Sequence, residues 1–274
     1  MVLGIDVGGS TTKIVGFRQP GIDNTSECVG MLQVEAGDQI TSAYGAFGKF
    51  SAEYGLRMGD IEKIMVTGVG APCLEKGMYD IPTTRISEFI AIGRGGLKLA
   101  GLPHALIVSV GTGTALVQAD ESGLTHIGGS GVGGGMLLNL CERFAGVHSF
   151  AGVMEIAKSG DLSAIDLRLS DISSEKIGNL PPDITVSNFG NMSDNAKPAD
   201  FVLGFINMIF ESIGMMAVFS TLNTEIRDIV LIGALSAADH AATAFANLEK
   251  IHPVKFHIPK DAIFATAVGA ALSA

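Results

Sequence analysis

Two segments of this chain share one design. Residues 4–15 (GIDVGGSTTKIV) and 108–118 (VSVGTGTALVQ) each run an apolar strand through a Gly, Ser and Thr loop into a second apolar strand. They lie about 100 residues apart, far beyond the period of a solenoid, which points to two related α/β halves, the alternative being that any two hairpins share this look. A chain of 274 residues has room for two such halves. We place the division at residue 100, giving halves 1–100 and 101–274.

Around the hairpins, strand patterns alternate with helical ones. Strands are expected at residues 2–7, 12–17 and 28–34, within the apolar run 61–68, and at 105–110; helices are expected near 39–54 and 86–100. After a turn at Asp120–Gly123 come helices near 134–145, 201–222, 236–250 and 262–273, with strands at 228–234 and 253–258. Asp261 is the expected N-cap of the last helix. The longest apolar stretch, 201–220, carries Asn207 and Glu211 near its middle; a central carboxylate is costly in lipid, so a buried helix is expected rather than a membrane span. Its Gly204, Asn207, Glu211 and Gly214 recur at 3-4-3 spacing on one face, for which core packing is the first expectation and a subunit interface the second.

Composition narrows the function. Lys and Arg number 18 against 28 Asp and Glu, a formal charge of −10, which argues against nucleic acid because phosphate-backbone affinity needs clustered cations. Cys28, Cys73 and Cys141 are odd in number and form no CxxC pair, so a disulfide framework or zinc ribbon is not expected and a cytoplasmic setting is. The opening MVLGIDVGG lacks a basic segment and is not read as a signal peptide. The six histidines show no HxH, HxxxH or HExxH spacing that would hold a transition metal.

The 36 glycines carry more. In the first loop, Gly8 and Gly9 allow close backbone approach to a ligand, Ser10, Thr11 and Thr12 offer hydroxyls and amides, and Lys13 offers a charge; together they suit phosphate. Asp6 closes an apolar strand, where a carboxylate is expensive unless used, and Mg²⁺ is its natural partner. The second loop, Gly111 to Thr114, is a candidate second jaw on the same polyphosphate. Residues 128–135 hold six glycines and run into an apolar helix, whose N-terminus is a candidate anion site. Gly129, Gly131 and Gly134 formally satisfy GxGxxG, but no strand with an acidic residue follows at the right distance, so a dinucleotide fold is rejected. Glu88, flanked by apolar residues at a helix start, reads either as a general base or as a carboxylate favoured by the helix dipole.

Together these loops, with IVLIGALS at 229–236, resemble those of the acetate and sugar kinase, Hsp70 and actin superfamily. Within it the chain is most similar to the type II, eukaryote-like pantothenate kinases, over essentially its whole length. The more specific marks are Ser87-Glu88-Phe89, GGSGVGGGM at 128–136 and Asn188-Phe189-Gly190. The resemblance implies an α/β fold of two duplicated ribonuclease H-like (actin-like ATPase) halves with a nucleotide cleft between them. It implies ATP-dependent phosphorylation of pantothenate to 4′-phosphopantothenate at the entry to coenzyme A synthesis, with ATP and Mg²⁺. Carried over, Asp6, Gly8, Gly9, Ser10, Thr11, Thr12 and Lys13 meet the ATP phosphates, with Mg²⁺ at Asp6, and Glu88 is the catalytic base. Thr112 sits at the phosphates, Gly133, Gly134, Gly135, Met136, Leu137 and Leu138 at the nucleotide with Phe150 nearby, and Gly233, Ala234 and Leu235 near adenosine. The helix at 201–222 matches the region that forms a homodimer. Two positions depart from the family around its acceptor: His126 stands in HIGG where the family has Arg, and Ala115 where the loop often continues to Ser. They open the alternative of another small alcohol, such as pantetheine or a sugar. An ATP-driven dehydratase activator is a further alternative, but Cys28, Cys73 and Cys141 show no spacing for its iron–sulfur cluster.

Overall fold

In a computed structural model, residues 1–18, 27–74, 77–175, 177–178 and 180–274 are described. The first half opens with Val2–Val7 (β1), whose residues are buried on both faces, and continues through Thr11–Arg18 (β2) and Glu27–Glu35 (β3) to helix Gln39–Glu53 (α1). Asp38 caps α1 by accepting from the Thr41 amide at 2.8 Å. Lys63–Thr67 (β4) and Thr83–Arg85 (β5) follow, then helix Glu88–Ala100 (α2).

The second half repeats the plan. It runs His104–Val110 (β6), Thr114–Asp120 (β7), Leu124–Ser130 (β8), Gly134–Ala145 (α3) and Phe150–Ala157 (α4). A short antiparallel pair, Leu167–Arg168 (β9) and Thr185–Ser187 (β10), brackets the single-turn helix Leu169–Ile172 (α5). Then come Pro198–Thr221 (α6), Asp228–Ile232 (β11), Asp239–Glu249 (α7), Lys255–His257 (β12) and Ala265–Ala271 (α8).

The two sheets have the same strand plan. Their orders are β3-β2-β1-β4-β5 and β8-β7-β6-β11-β12. In each, three antiparallel strands are extended by two parallel ones. The duplication expected from the hairpins therefore extends to the whole sheet.

Helices cover the sheets in an exchanged way. Helix α1 packs its Ala43, Phe47 and Phe50 on one face of the first sheet, and α3, α4, α6 and α7 cover one face of the second. The inner faces swap partners. Helix α2 follows the first sheet in sequence but sets Ile92 among Ile107, Val117 and Val230 of the second. Helix α8 follows the second sheet but sets Ala267, Val268 and Ala271 among Val2, Val15 and Met65 of the first. The two helices cross backbone to backbone: a Cβ on Gly95 would run into the Ala265 carbonyl, and one on Gly269 into the Ala91 carbonyl.

Three local expectations change. Residues 128–130 are not loop but the end of β8, pairing with Leu116, Ala115 and Thr114 of β7; a Cβ on Gly129 would meet the Thr114 carbonyl oxygen at 2.7 Å. Asp261 does not cap the last helix, because its backbone is left-handed (φ 61°) and a 3-10 turn, Ala262–Phe264, precedes α8. Helix α6 starts at Pro198, ahead of the apolar run, because the Asp200 carboxylate accepts from the amides of Lys197 and Asp161 at 2.7 and 2.8 Å. By length and composition α6 could cross a membrane, yet its polar stripe is spent inside the fold. Asn207 donates to Asp166 at 3.0 Å, Glu211 accepts from Asn188 at 2.8 Å, and Gly204 and Gly214 sit against Ile165 and Phe245. Core packing, the first expectation for that stripe, holds.

The crossing is where the fold is least tolerant. Gly95→Ala and Gly269→Ala should each lower stability by about 3 kcal/mol through backbone overpacking. Gly45→Ala and Gly48→Ala on α1, where an added Cβ meets nothing within 4 Å, should instead raise it by ~0.5–1 kcal/mol through helix propensity. Urea unfolding midpoints at constant slope read both signs; equal effects in the two pairs would contradict the packing described.

Candidate active site

The first loop is held by an antiparallel register that pairs Asp6 with Lys13 and Val7 with Thr12. Because side chains alternate between faces of a strand, these two pairs point opposite ways. Val7 belongs to the core under α1, so Thr12 faces that core, where it is fully buried. The hydroxyl read as a phosphate contact is thus turned away from Asp6 and Lys13. Asp6 and Lys13 lie on the other face, toward α2 and α8, with Lys13 Nζ 3.6 Å from Asp6 Oδ2 and donating to Thr11 Oγ1 at 2.9 Å. Burial pushes the Asp6 carboxyl above its ordinary range, and the Lys13 ammonium opposes that rise. The Gly8 amide donates to the Thr11 carbonyl at 3.0 Å, closing the loop, while Gly9 and Ser10 stand exposed at its tip.

The second loop faces the first. A Cβ on Gly9 would lie 3.8 Å from Thr112 Oγ1. Behind Thr112 the start of α3 is sewn onto the loop backbone, the Gly134 amide donating to Gly111 and the Gly135 amide to Thr112, both at 2.9 Å. This revises the reading of a helix N-terminus open to an anion, since two of its first amides already have carbonyl partners. The glycines serve contact instead: a Cβ on Gly133 would meet the Thr112 carbonyl oxygen at 2.8 Å.

The remaining nucleotide candidates divide. Gly233 (φ 94°) tucks beneath the Val110 carbonyl, and Leu235 Cδ1 lies 3.5 Å from where a Gly134 Cβ would be, so the turn containing Ala234 abuts the head of α3. The side chains of Leu137 and Leu235 are buried in the second core and face no cleft. Met136, Leu138 and Phe150 are half-buried against that same core.

Glu88 occupies the first turn of α2, on its exposed side. Partial desolvation holds its carboxyl above the ordinary range, the Asp6 charge adds to the rise, and Lys13 opposes it. The exchanged packing of α2 has therefore brought Glu88 within electrostatic reach of the Asp6–Lys13 pair. Its neighbour Phe89 stacks on His126 of β8, ring centroids 3.9 Å apart and planes 16° from parallel. The imidazole at the first departure from the family thus packs on the residue that follows the candidate base in sequence. Ala115, the second departure, is half-buried on β7 opposite Ser109 and Gly129.

One residue escaped the sequence reading. Thr67 ends β4 directly beside Asp6 in the parallel register, fully buried, and its hydroxyl has no partner among the described residues. Its only sequence signal is a hydroxyl closing an apolar strand next to a Gly. Among the described residues no three His, Cys, Asp or Glu side chains gather as a metal cage. The donors on offer are the carboxylates of Asp6 and Glu88. Mg²⁺ is commonly held by one or two carboxylates with phosphate oxygens and water completing its shell, so the residues fit that ion.

Comparison with known proteins agrees with this architecture. A family model described as Fumble matches residues 101–248. The type II pantothenate kinase of Staphylococcus haemolyticus is 27% identical over 250 residues, covering 85% of each chain. Among solved structures, the activator of the 2-hydroxyisocaproyl-CoA dehydratase from Clostridium difficile with bound ADPNP superposes with a TM-score of 0.70 at 19% identity, covering 100% of this chain and 93% of that one. A ROK family glucokinase from Streptomyces griseus in complex with glucose and AMPPNP gives 0.65 at 11%, covering 98% and 97%. At such identities these two structures share the fold, which is the actin-like ATPase fold of two halves. The family match spans more than half of the sequence, and the chain belongs to the Fumble family, that of the type II pantothenate kinases.

Proposed function

We propose that this protein transfers the γ-phosphoryl group of ATP to the primary alcohol of pantothenate, yielding 4′-phosphopantothenate and ADP in the cytoplasm. One observation supports the reading beyond family membership: the path of α2 brings Glu88 within electrostatic reach of the Asp6–Lys13 pair, at the base of the loop that faces Thr112. Phosphoryl transfer needs positioning and charge stabilisation more than covalent participation by the protein, and this arrangement supplies both. Ionised Glu88 accepts the acceptor's hydroxyl proton as that oxygen bonds to phosphorus and the bond to ADP breaks. Lys13 Nζ offsets the charge on the departing oxygens, and the exposed tip at Gly9 and Ser10 brings backbone amides to the phosphates. Asp6 would hold Mg²⁺, which when bound neutralises charge on the transferring oxygens. The Phe89–His126 plate walls the acceptor side next to the base.

The dehydratase activators share the fold; of the three cysteines here, Cys28 and Cys73 are exposed and far apart in sequence, and Cys141 lies buried in the second core with its thiol pushed up to about 11. A homodimer along α6 is the second part of the proposal. With its polar stripe turned inward, α6 leaves Phe219 and Leu222 more than 60% exposed (62% and 64%), an apolar end suited to a second copy. Phe219→Glu should convert a dimer to a monomer in light scattering; a monomeric wild type would contradict it.

The pH profile tests the base. Glu88 works ionised and its pKa is raised, so kcat/KM should be full above that raised value and fall as pH drops through it. Asp6→Asn removes a charge that raises Glu88, so whatever activity remains should show its acid limb at lower pH. Glu88→Gln should lower kcat by roughly 10²–10⁴. A coupled ADP-release assay with pantothenate reads all three, and full turnover in Glu88→Gln would remove Glu88 from this role.

A further inference from the structure

The mechanism above leaves Thr67 unused. Buried polar groups are almost always paired, so a hydroxyl without a partner at zero exposure asks for a reason. Two such hydroxyls flank the first loop, Thr12 and Thr67. Thr12 points into the core under α1, beside Val7 and on the face opposite Asp6 and Lys13. Thr67 stands on the opposite face, level with Asp6 on the adjacent parallel strand. The chain then turns sharply at Gly68 (φ 87°), whose missing Cβ would lie 2.6 Å from Asp6 Oδ1 and 2.6 Å from the Val7 carbonyl oxygen. The Asp6 carboxylate is therefore hemmed by Lys13 on its Oδ2 side and by Gly68 on its Oδ1 side, with an unspent donor on the neighbouring strand.

We propose that Thr67 is a positioning residue for the cation: with the site loaded, its hydroxyl donates to the Asp6 carboxylate and fixes the orientation in which that carboxylate meets Mg²⁺. This rests on the kinase reading, which puts the cation at Asp6. Carboxylates that bind metals are themselves held by hydrogen bonds, and losing such a partner typically weakens metal affinity 10–100-fold. Thr12 supplies the control, equally buried and equally unpaired but on the wrong face.

Mn²⁺ binding followed by electron paramagnetic resonance, with a non-hydrolysable ATP analogue present, reads the cation without relying on turnover. Thr67→Val and Thr67→Ala should raise the Mn²⁺ concentration at half-saturation about tenfold or more. Thr67→Ser, which keeps the hydroxyl, and Thr12→Val should bind as the wild type does. Urea midpoints confirm that each variant is folded, and the alanine variant keeps the test open if valine packs poorly. Wild-type Mn²⁺ affinity in the folded valine or alanine variant would overturn the proposal, as would an equal loss in Thr67→Ser. A wild type that binds no Mn²⁺ with the nucleotide analogue would overturn the kinase reading itself, and this proposal with it.

Discussion

The crossing of α2 and α8 is the contact on which the rest of the molecule depends. Each helix leaves one sheet and buries its apolar face on the other, so neither half completes its core alone. The approach is close enough that Gly95 and Gly269 lie against opposing carbonyls, and Gly4 of β1 lies against Ala267 and Ala271 in the same way. Interiors packed this tightly do not deform smoothly, so the crossing fixes the relative placement of the sheets as well as their stability. It also fixes the chemistry. Glu88 opens α2, and only the path of that helix across the inner faces sets it near Asp6 and Lys13 on the first sheet.

The proposed site would meet an anionic ligand with few cations, which reconciles phosphate chemistry with a net charge of −10. Burial does much of the electrostatic work. It raises both Asp6 and Glu88, the Asp6 charge adds to the rise at Glu88, and the ammonium of Lys13, itself buried, opposes both in a partly desolvated setting where a charge is worth more than at a surface. The Gly-rich segments contribute shape as much as amides, since they let α3 and the turn at Gly233 close on the second loop.

How much of this was legible in the sequence depended on whether the determinant was local. The β1–loop–β2 and β6–loop–β7 hairpins declare themselves through apolar strands broken by Gly and Thr, and their resemblance pointed to the duplicated sheets. Residues 128–130 looked like loop because glycine carries no side chain to show the strand's alternation, although cross-strand bonds to β7 make them β8. Thr12 looked like a phosphate ligand because the string of hydroxyls hides which of them face the sheet's core side. The roles open to Glu88 could not be separated locally, since its raised pKa comes first from burial and then from the Asp6 charge, more than 70 residues away in sequence, with Lys13 opposing the rise. Thr67 was invisible for the same reason: an ordinary threonine becomes notable only once burial strips it of partners beside a carboxylate.

Pantothenate is the acceptor that membership of the type II pantothenate kinase family implies, and His126 and Ala115 are the two positions at which this chain could depart from it. The most direct measurement is ³¹P nuclear magnetic resonance of the purified protein with Mg²⁺, ATP and either pantothenate, pantetheine or glucose as acceptor. A phosphomonoester signal split by an adjacent CH₂ group is expected, growing in step with ADP and fastest with pantothenate. ATP converted only to ADP and inorganic phosphate, or a faster ester signal from pantetheine or glucose, would contradict it.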